Sequence, residues 1–191
     1  MTRPYLPLLL LALFAGGCSS QDKADKAEVE PTTIHEFMLT RIDPDADAIW
    51  AIGNAAIAED ASIDPAKMTD ADWTKLGAAA DRMAGHARLL ENLDPVLVAL
   101  PNAKIADEGT EGAPTRGQIQ AHLEKDTDVF RSLADSLTTH ATDLSAAAAK
   151  KDFANAGRLI NEMDGVCESC HLEFWYPEQR DLMKKMGISA E

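Results

Sequence analysis

Residues 152–174 read DFANAGRLINEMDGVCESCHLEF, and within them Phe153, Ala156, Ile160, Met163, Cys167, Cys170 and Phe174 recur at steps of 3, 4, 3, 4, 3 and 4. A helix turns once every 3.6 residues or so, which places these positions in a single apolar stripe that must face a core. Both cysteines belong to that stripe.

The rest of the chain keeps the same period. Residues 69–94 open with Thr69-Asp70-Ala71-Asp72, an N-cap with acidic residues in the first turn, and continue with Trp73, Leu76, Ala80, Met83, Ala87 and Leu90 on one side. Asp94-Pro95 closes that segment, and Val96 to Pro114 reads as a connection broken by Pro101, Gly109, Gly112 and Pro114. Thr115-Arg116-Gly117-Gln118 is a capping-box pattern; Ile119, Leu123, Phe130, Leu133, Leu137, Leu144 and Ala148 follow, predicting one long helix of about nine turns that ends at Lys150-Lys151. The first segment, Thr33 to about Glu59, carries Ile34, Met38, Ile42, Ile49 and Ala56 on one side. Asp43-Pro44 interrupts it and predicts a kink, or two short helices with Asp43 capping the second. With no sustained apolar/polar alternation and no internal repeat, four amphipathic segments predict an all-α four-helix bundle.

The 191 residues are 46% hydrophobic and 26% charged, which suits one globular domain and excludes disorder throughout or a collagen-like fold. With 18 Lys+Arg against 32 Asp+Glu the net charge is −14, which repels a phosphate backbone and excludes nucleic acid as a partner. A basic partner suits it better. Tyr5 to Ala15 (YLPLLLLALFA) is an apolar run after Thr2-Arg3, shorter than the roughly 20 residues of a membrane span, and reads as a signal-peptide core. Ala15-Gly16-Gly17-Cys18, followed by Ser19-Ser20-Gln21-Asp22, resembles a bacterial lipobox, although lipoboxes usually have Leu, Val or Ile where Ala15 stands. That resemblance implies removal of residues 1–17 and lipid on Cys18; an ordinary signal peptide leaving Cys18 as a free thiol is the alternative, and either way the chain is exported. Without residues 1–17 the chain keeps 17 Lys+Arg against 32 Asp+Glu, a net charge of −15. Residues 18–31 then make a lipidated cysteine and polar tether, 32–180 the bundle, and 181–191 a C-terminal tail.

Cys167-Glu168-Ser169-Cys170-His171 is C-x-x-C-H, the pattern for covalent attachment of c-type haem. On a helix these three side chains fall within about 100° of one another, so two thiols can form thioethers to the haem edge while His171 reaches the iron as axial ligand. Two other readings of C-x-x-C exist. A thioredoxin-like redox pair belongs at the start of a helix that follows a strand, a context this chain lacks, and a structural zinc site needs a fourth ligand with no second cysteine pair to supply it.

An exported four-helix bundle of this length with C-x-x-C-H on its last helix resembles the class II cytochromes c, which include cytochrome c′ and the low-spin cytochromes of c556 type. The resemblance covers about Thr32 to Pro177. It implies one covalent haem c anchored on Cys167 and Cys170, with His171 as proximal ligand and the first helix over the opposite face. In low-spin members that helix supplies a methionine ligand, from a position matching Met38 in Ile34-His35-Glu36-Phe37-Met38. Family members often place an aromatic and then an Arg shortly after the motif, whereas here Phe174 is followed by Trp175. Asp43-Pro44 also departs from an uninterrupted first helix.

His35, three residues before Met38, is the second candidate for the sixth position. Met83 reads as core, and His86 pairs with it on the second helix; His122 and His140 read as partly exposed surface residues. Trp50, Trp73, Trp175 and Tyr176 read as packing, the last two standing where they could close the haem edge or meet a redox partner. No catalytic carboxylate pair, phosphate loop or Ser-His-Asp pattern appears. The expected function is single-electron transfer by a periplasmic, lipid-anchored cytochrome, with outer membrane favoured by Ser19, rather than an enzyme. Its alternatives are a high-spin, cytochrome c′-type protein binding NO or CO at an open distal site, and a peroxidase using His35 or His86. Redox proteins with a basic docking surface are the expected partners. Family members are often antiparallel homodimers, yet no face of this sequence reads as a dimer interface.

Overall fold

The computed structural model describes residues 32–60, 62–106 and 108–186. The expected signal peptide at 1–17, lipidated Cys18 and tether to residue 31 lie outside them, as do residues 187–191. Among the described residues every regular element is helical, apart from an isolated bridge between Ile57 and Ile63. No helix among them is long and apolar enough to cross a membrane.

The first arm begins with α1 (Ile34–Phe37), capped by Thr33, whose side chain accepts from the Glu36 N–H. A π-helical stretch, Met38–Ile42, follows, and α2 (Asp43–Ala56) continues in the same direction of winding. Of the two outcomes expected at Asp43-Pro44, a separate second helix capped by Asp43 is therefore corrected. Asp43 makes no capping hydrogen bond, because Ile42 before it keeps helical angles (φ −68°, ψ −53°) and the Asp43 N–H donates to the Met38 carbonyl. Proline has no N–H and crowds the carbonyl four residues back; widening the preceding turn to an i→i+5 bond absorbs that defect without ending the helix.

Helix α3 (Asp70–Glu91) starts at the Thr69 capping box with Asp72, and Trp73, Leu76, Ala80, Met83, Ala87 and Leu90 are all buried, as the period predicted. The expected long third helix is two helices, α4 (Arg116–Lys125) and α5 (Thr127–Ala149), broken at Asp126 (φ −126°, ψ 42°). At this break the Thr127 hydroxyl donates to the Leu123 carbonyl at 2.7 Å. The capping box at Thr115 and Gln118 forms as read. Helix α6 (Phe153–Phe174) is capped by Asp152, and Phe153, at the end of the expected stripe, is 46% exposed. A further helix, α7 (Pro177–Lys185), crosses the boundary expected at residue 180.

Helices α2, α3, α5 and α6 each pack on two of the others, α3 against α5 most extensively, which closes a four-helix bundle. Gly53 lets α2 approach α6, since a Cβ there would lie 2.8 Å from Ile160 Cγ2. The core has two parts. One is built on Ile42, Ile49, Leu76, Met83, Leu144, Ile160 and Met163, the other on Ile34, Phe37, Leu90, Val98, Ile119, Phe130 and Phe174. Met38 packs on both, Cys167 on the first and Cys170 on the second, so the seam between the two clusters passes through the candidate site.

Candidate functional site

At that seam lies a cavity of about 580 Å³, within the roughly 300–1,000 Å³ usual for small-molecule and cofactor sites. The π-helical stretch and α1 bring Met38, Ile34 and Ile42 to one part of its lining, and α6 brings Cys167, Cys170 and His171 to another. Phe130, Leu133 and Leu137 from α5 and Leu90 from α3 add apolar wall. The expected site residues within the described region are thus assembled at one cavity from the first helical arm and α6.

Helix α6 ends at Phe174, and the His171 carbonyl accepts the N–H groups of Trp175 and Tyr176, both at 2.8 Å. That closing turn leaves Trp175 and Tyr176 on the cavity lining, and the Trp175 ring stands edge-on to the exposed His171 imidazole, 6.0 Å between centroids and 68° between planes. Sequence reading left these two aromatics between packing and cavity edge; they are at the edge. Gln179 of α7 joins them there, and Glu173 forms an ion pair with Arg180 that ties α7 to α6.

Burial, followed by the charges of Asp164 and Asp43, pushes the Cys167 thiol up to about 11. Burial, followed by the neighbouring Cys167 and Glu173, pushes Cys170 up to about 12. Both thiols are therefore neutral, the opposite of the lowered values that activate a redox pair. Among the described residues no three His, Cys, Asp or Glu side chains come together as a metal-holding group. Cys167, Cys170 and His171 share a cavity wall without converging on one point, which argues against tetrahedral zinc and fits attachment of an extended, flat macrocycle whose edge and centre are different contact points. At the cavity edge, withdrawal from water and then the Asp47 charge raise the Asp43 carboxyl above its ordinary value, while His171 pulls it down. Asp164 and Glu168 also stand on the lining.

Of the five histidines only His171 lines the cavity. His35 lies outside it. His86 Nδ1 lies 2.9 Å from Asp45 Oδ2, and Met83 is wholly buried in the core, as expected. His122 donates from Nδ1 to the Phe174 carbonyl at 3.0 Å. His140 corrects its expected surface role: it is 9% exposed and donates from Nε2 to the Leu159 carbonyl at 2.8 Å, linking α5 to α6. Trp50 lines the cavity, whereas Trp73 is core. Sequence reading missed the buried Asp45, because an acid on a helical stripe carries no signal that distinguishes it from a solvated one.

No family model matches the chain, and no solved structure matches it. Over 97 residues it is 29% identical to a curated relative named cytochrome c′ from Rhodospirillum rubrum; the match spans 51% of this chain and 62% of that protein's length.

Proposed function

We propose that this protein is a c-type cytochrome of the bacterial periplasm, carrying one haem c covalently on Cys167 and Cys170 and passing single electrons rather than acting as an enzyme. The observation that supports it most is one cavity lined by both cysteines and the histidine of the C-x-x-C-H motif together with Met38, which lie far apart in the sequence. The similarity to a protein named cytochrome c′ points the same way.

The haem supplies a one-electron iron couple when bound. His171 would hold the iron through an imidazole nitrogen and Met38 through its thioether, a soft donor that would favour the reduced state and raise the potential. Ile34, Ile42, Leu90, Phe130, Leu133 and Leu137 keep water from that face. Trp175 limits the swing of the His171 ring. Asp43, Asp164 and Glu168 put negative charge at the cavity lining, matching the acidic chain to a redox partner with a basic docking surface. In the same reading lipid on Cys18 tethers the domain to the membrane, the outer more readily than the inner.

A second reading, a high-spin protein that binds NO or CO at an open distal position, is favoured by the similarity to a protein named cytochrome c′. The optical spectrum of the purified protein separates them. A low-spin spectrum with the weak methionine-to-ferric-iron charge-transfer band near the red end of the visible supports the electron carrier; a high-spin spectrum without it supports the gas binder.

A further inference from the structure

Helix α1 is the first turn of a helical backbone that runs on through Met38–Ile42 into α2, and Met38 follows directly at its end. Its free start is held from outside by the long connection between α3 and α4. The N–H groups of Ile34 and His35, which no helix can satisfy internally at its start, donate to the carbonyls of Leu97 and Val98, both at 2.9 Å. Leu97 and Val98 belong to no regular element themselves. They are gripped by the side-chain amide of Gln120 on α4: the Val98 N–H donates to Oε1 at 2.9 Å, and Nε2 donates to the Val96 carbonyl at 3.1 Å. The partners dictate this orientation of the amide, since an N–H requires its oxygen and a carbonyl its nitrogen. The Gln120 nitrogen also donates to Glu124 Oε1 at 3.1 Å, so both of its hydrogens have acceptors. Val98 is wholly buried, which shields the clasp from competing water.

We infer that Gln120 is a positioning residue for the cavity: through the backbone of residues 96–98 it holds α1, and with it Met38, against the haem face. This rests on the haem-binding reading above. A thioether is a weak donor whose bond depends on where its sulfur is held, and here that placement runs through two carbonyls fixed by one amide. Without the amide, Val96 and Val98 lose their partners, the connection loosens, and the start of α1 opens.

The test compares the full-length haem-loaded protein with its Gln120→Ala, Gln120→Glu and Gln118→Ala variants. Gln118 caps the same helix by accepting from the Thr115 N–H at 2.8 Å and makes no bond to residues 96–98, so it controls for loss of α4 stability. In Gln120→Ala, amide hydrogen exchange at Ile34 and His35 is expected to quicken by about tenfold or more, with a fall in the low-spin fraction and faster CO binding to the reduced protein. Gln120→Glu keeps the acceptor for Val98 but not the donor for Val96 and should lie between. Gln118→Ala should match wild type on all three readouts. Unchanged exchange in Gln120→Ala, equal acceleration in Gln118→Ala, or faster exchange with unaltered spin state and CO rate would each overturn the inference. A wild-type spectrum that is already high spin rejects Met38 as ligand instead; exchange and CO association then decide the role of Gln120 alone.

Discussion

The imidazole of His86 donates from Nδ1 to Oδ2 of Asp45 at 2.9 Å, while Arg82 Nε donates to the other oxygen of that carboxylate at 2.8 Å. Asp45 is 5% exposed in its side chain, against 23% for His86 and 54% for Arg82, so one buried acid of α2 is held by two side chains of α3. Neither His86 nor Asp45 lines the cavity. Asp45→Ala leaves the His86 N–H without its acceptor, and a loss of about 1–3 kcal/mol in urea unfolding is expected, with the haem spectrum unaltered. A changed spectrum would bring His86 into ligation.

Stability should fall in acid for a reason visible at the helix starts. The Thr32 N–H holds Glu36 below the ordinary carboxylate range, the Thr69 hydroxyl holds Asp72 below it, and the Asn155 side chain does the same for Asp152. A carboxylate with a depressed folded value stabilises the fold above its unfolded value near about 4 and loses that contribution as pH drops through the folded value. Unfolding midpoints measured from pH 6 to pH 3 should therefore decline, and Asp72→Asn with Asp152→Asn should flatten the decline. An equally steep decline in that double variant would assign it to other groups.

Changing Cys167 and Cys170 together to Ala should abolish covalent haem, because Cys18 is the one other cysteine in the chain and belongs to the segment before the bundle. Pyridine-haem analysis of the denatured variant reads this directly. Haem that stays covalently bound contradicts the attachment.

If lipid on Cys18 is the membrane tether, Cys18→Ala should move the protein from the membrane to the soluble periplasmic fraction. A domain of net charge −15 behind a polar tether has no other attraction to an anionic bilayer. Finding the variant still with membranes would remove the lipoprotein reading.

The period of apolar residues was enough to read the bundle, and the Thr69 and Thr115 caps were legible because capping is written in adjacent residues. The motif on α6 and the neighbouring Trp175 and Tyr176 were legible for the same local reason. Three features were not. Pro44 reads as a kink or a helix break, but a π-helical turn that no local pattern announces carries the helix through it, with Met38 packed on both clusters and Ile42 in the first. The break at Asp126 sits inside an unbroken apolar period, which carries no sign of it. The clasp of Gln120 on Val96 and Val98 joins residues whose proximity only the folded chain creates.

Met38→Ala tests the central claim most directly, by reading stability and haem spectrum on the same sample. If its sulfur is the ligand opposite His171, the bundle stays folded while the haem passes from low to high spin, its potential falls and it takes up CO or NO, since the soft donor is gone and the imidazole stays. A side chain that only packs would instead cost about 2–5 kcal/mol if fully buried, less at the half-buried Met38, and leave the spin state alone. A low-spin spectrum that survives Met38→Ala, or a wild-type spectrum that is high spin from the start, contradicts the account of an electron carrier with methionine above the iron.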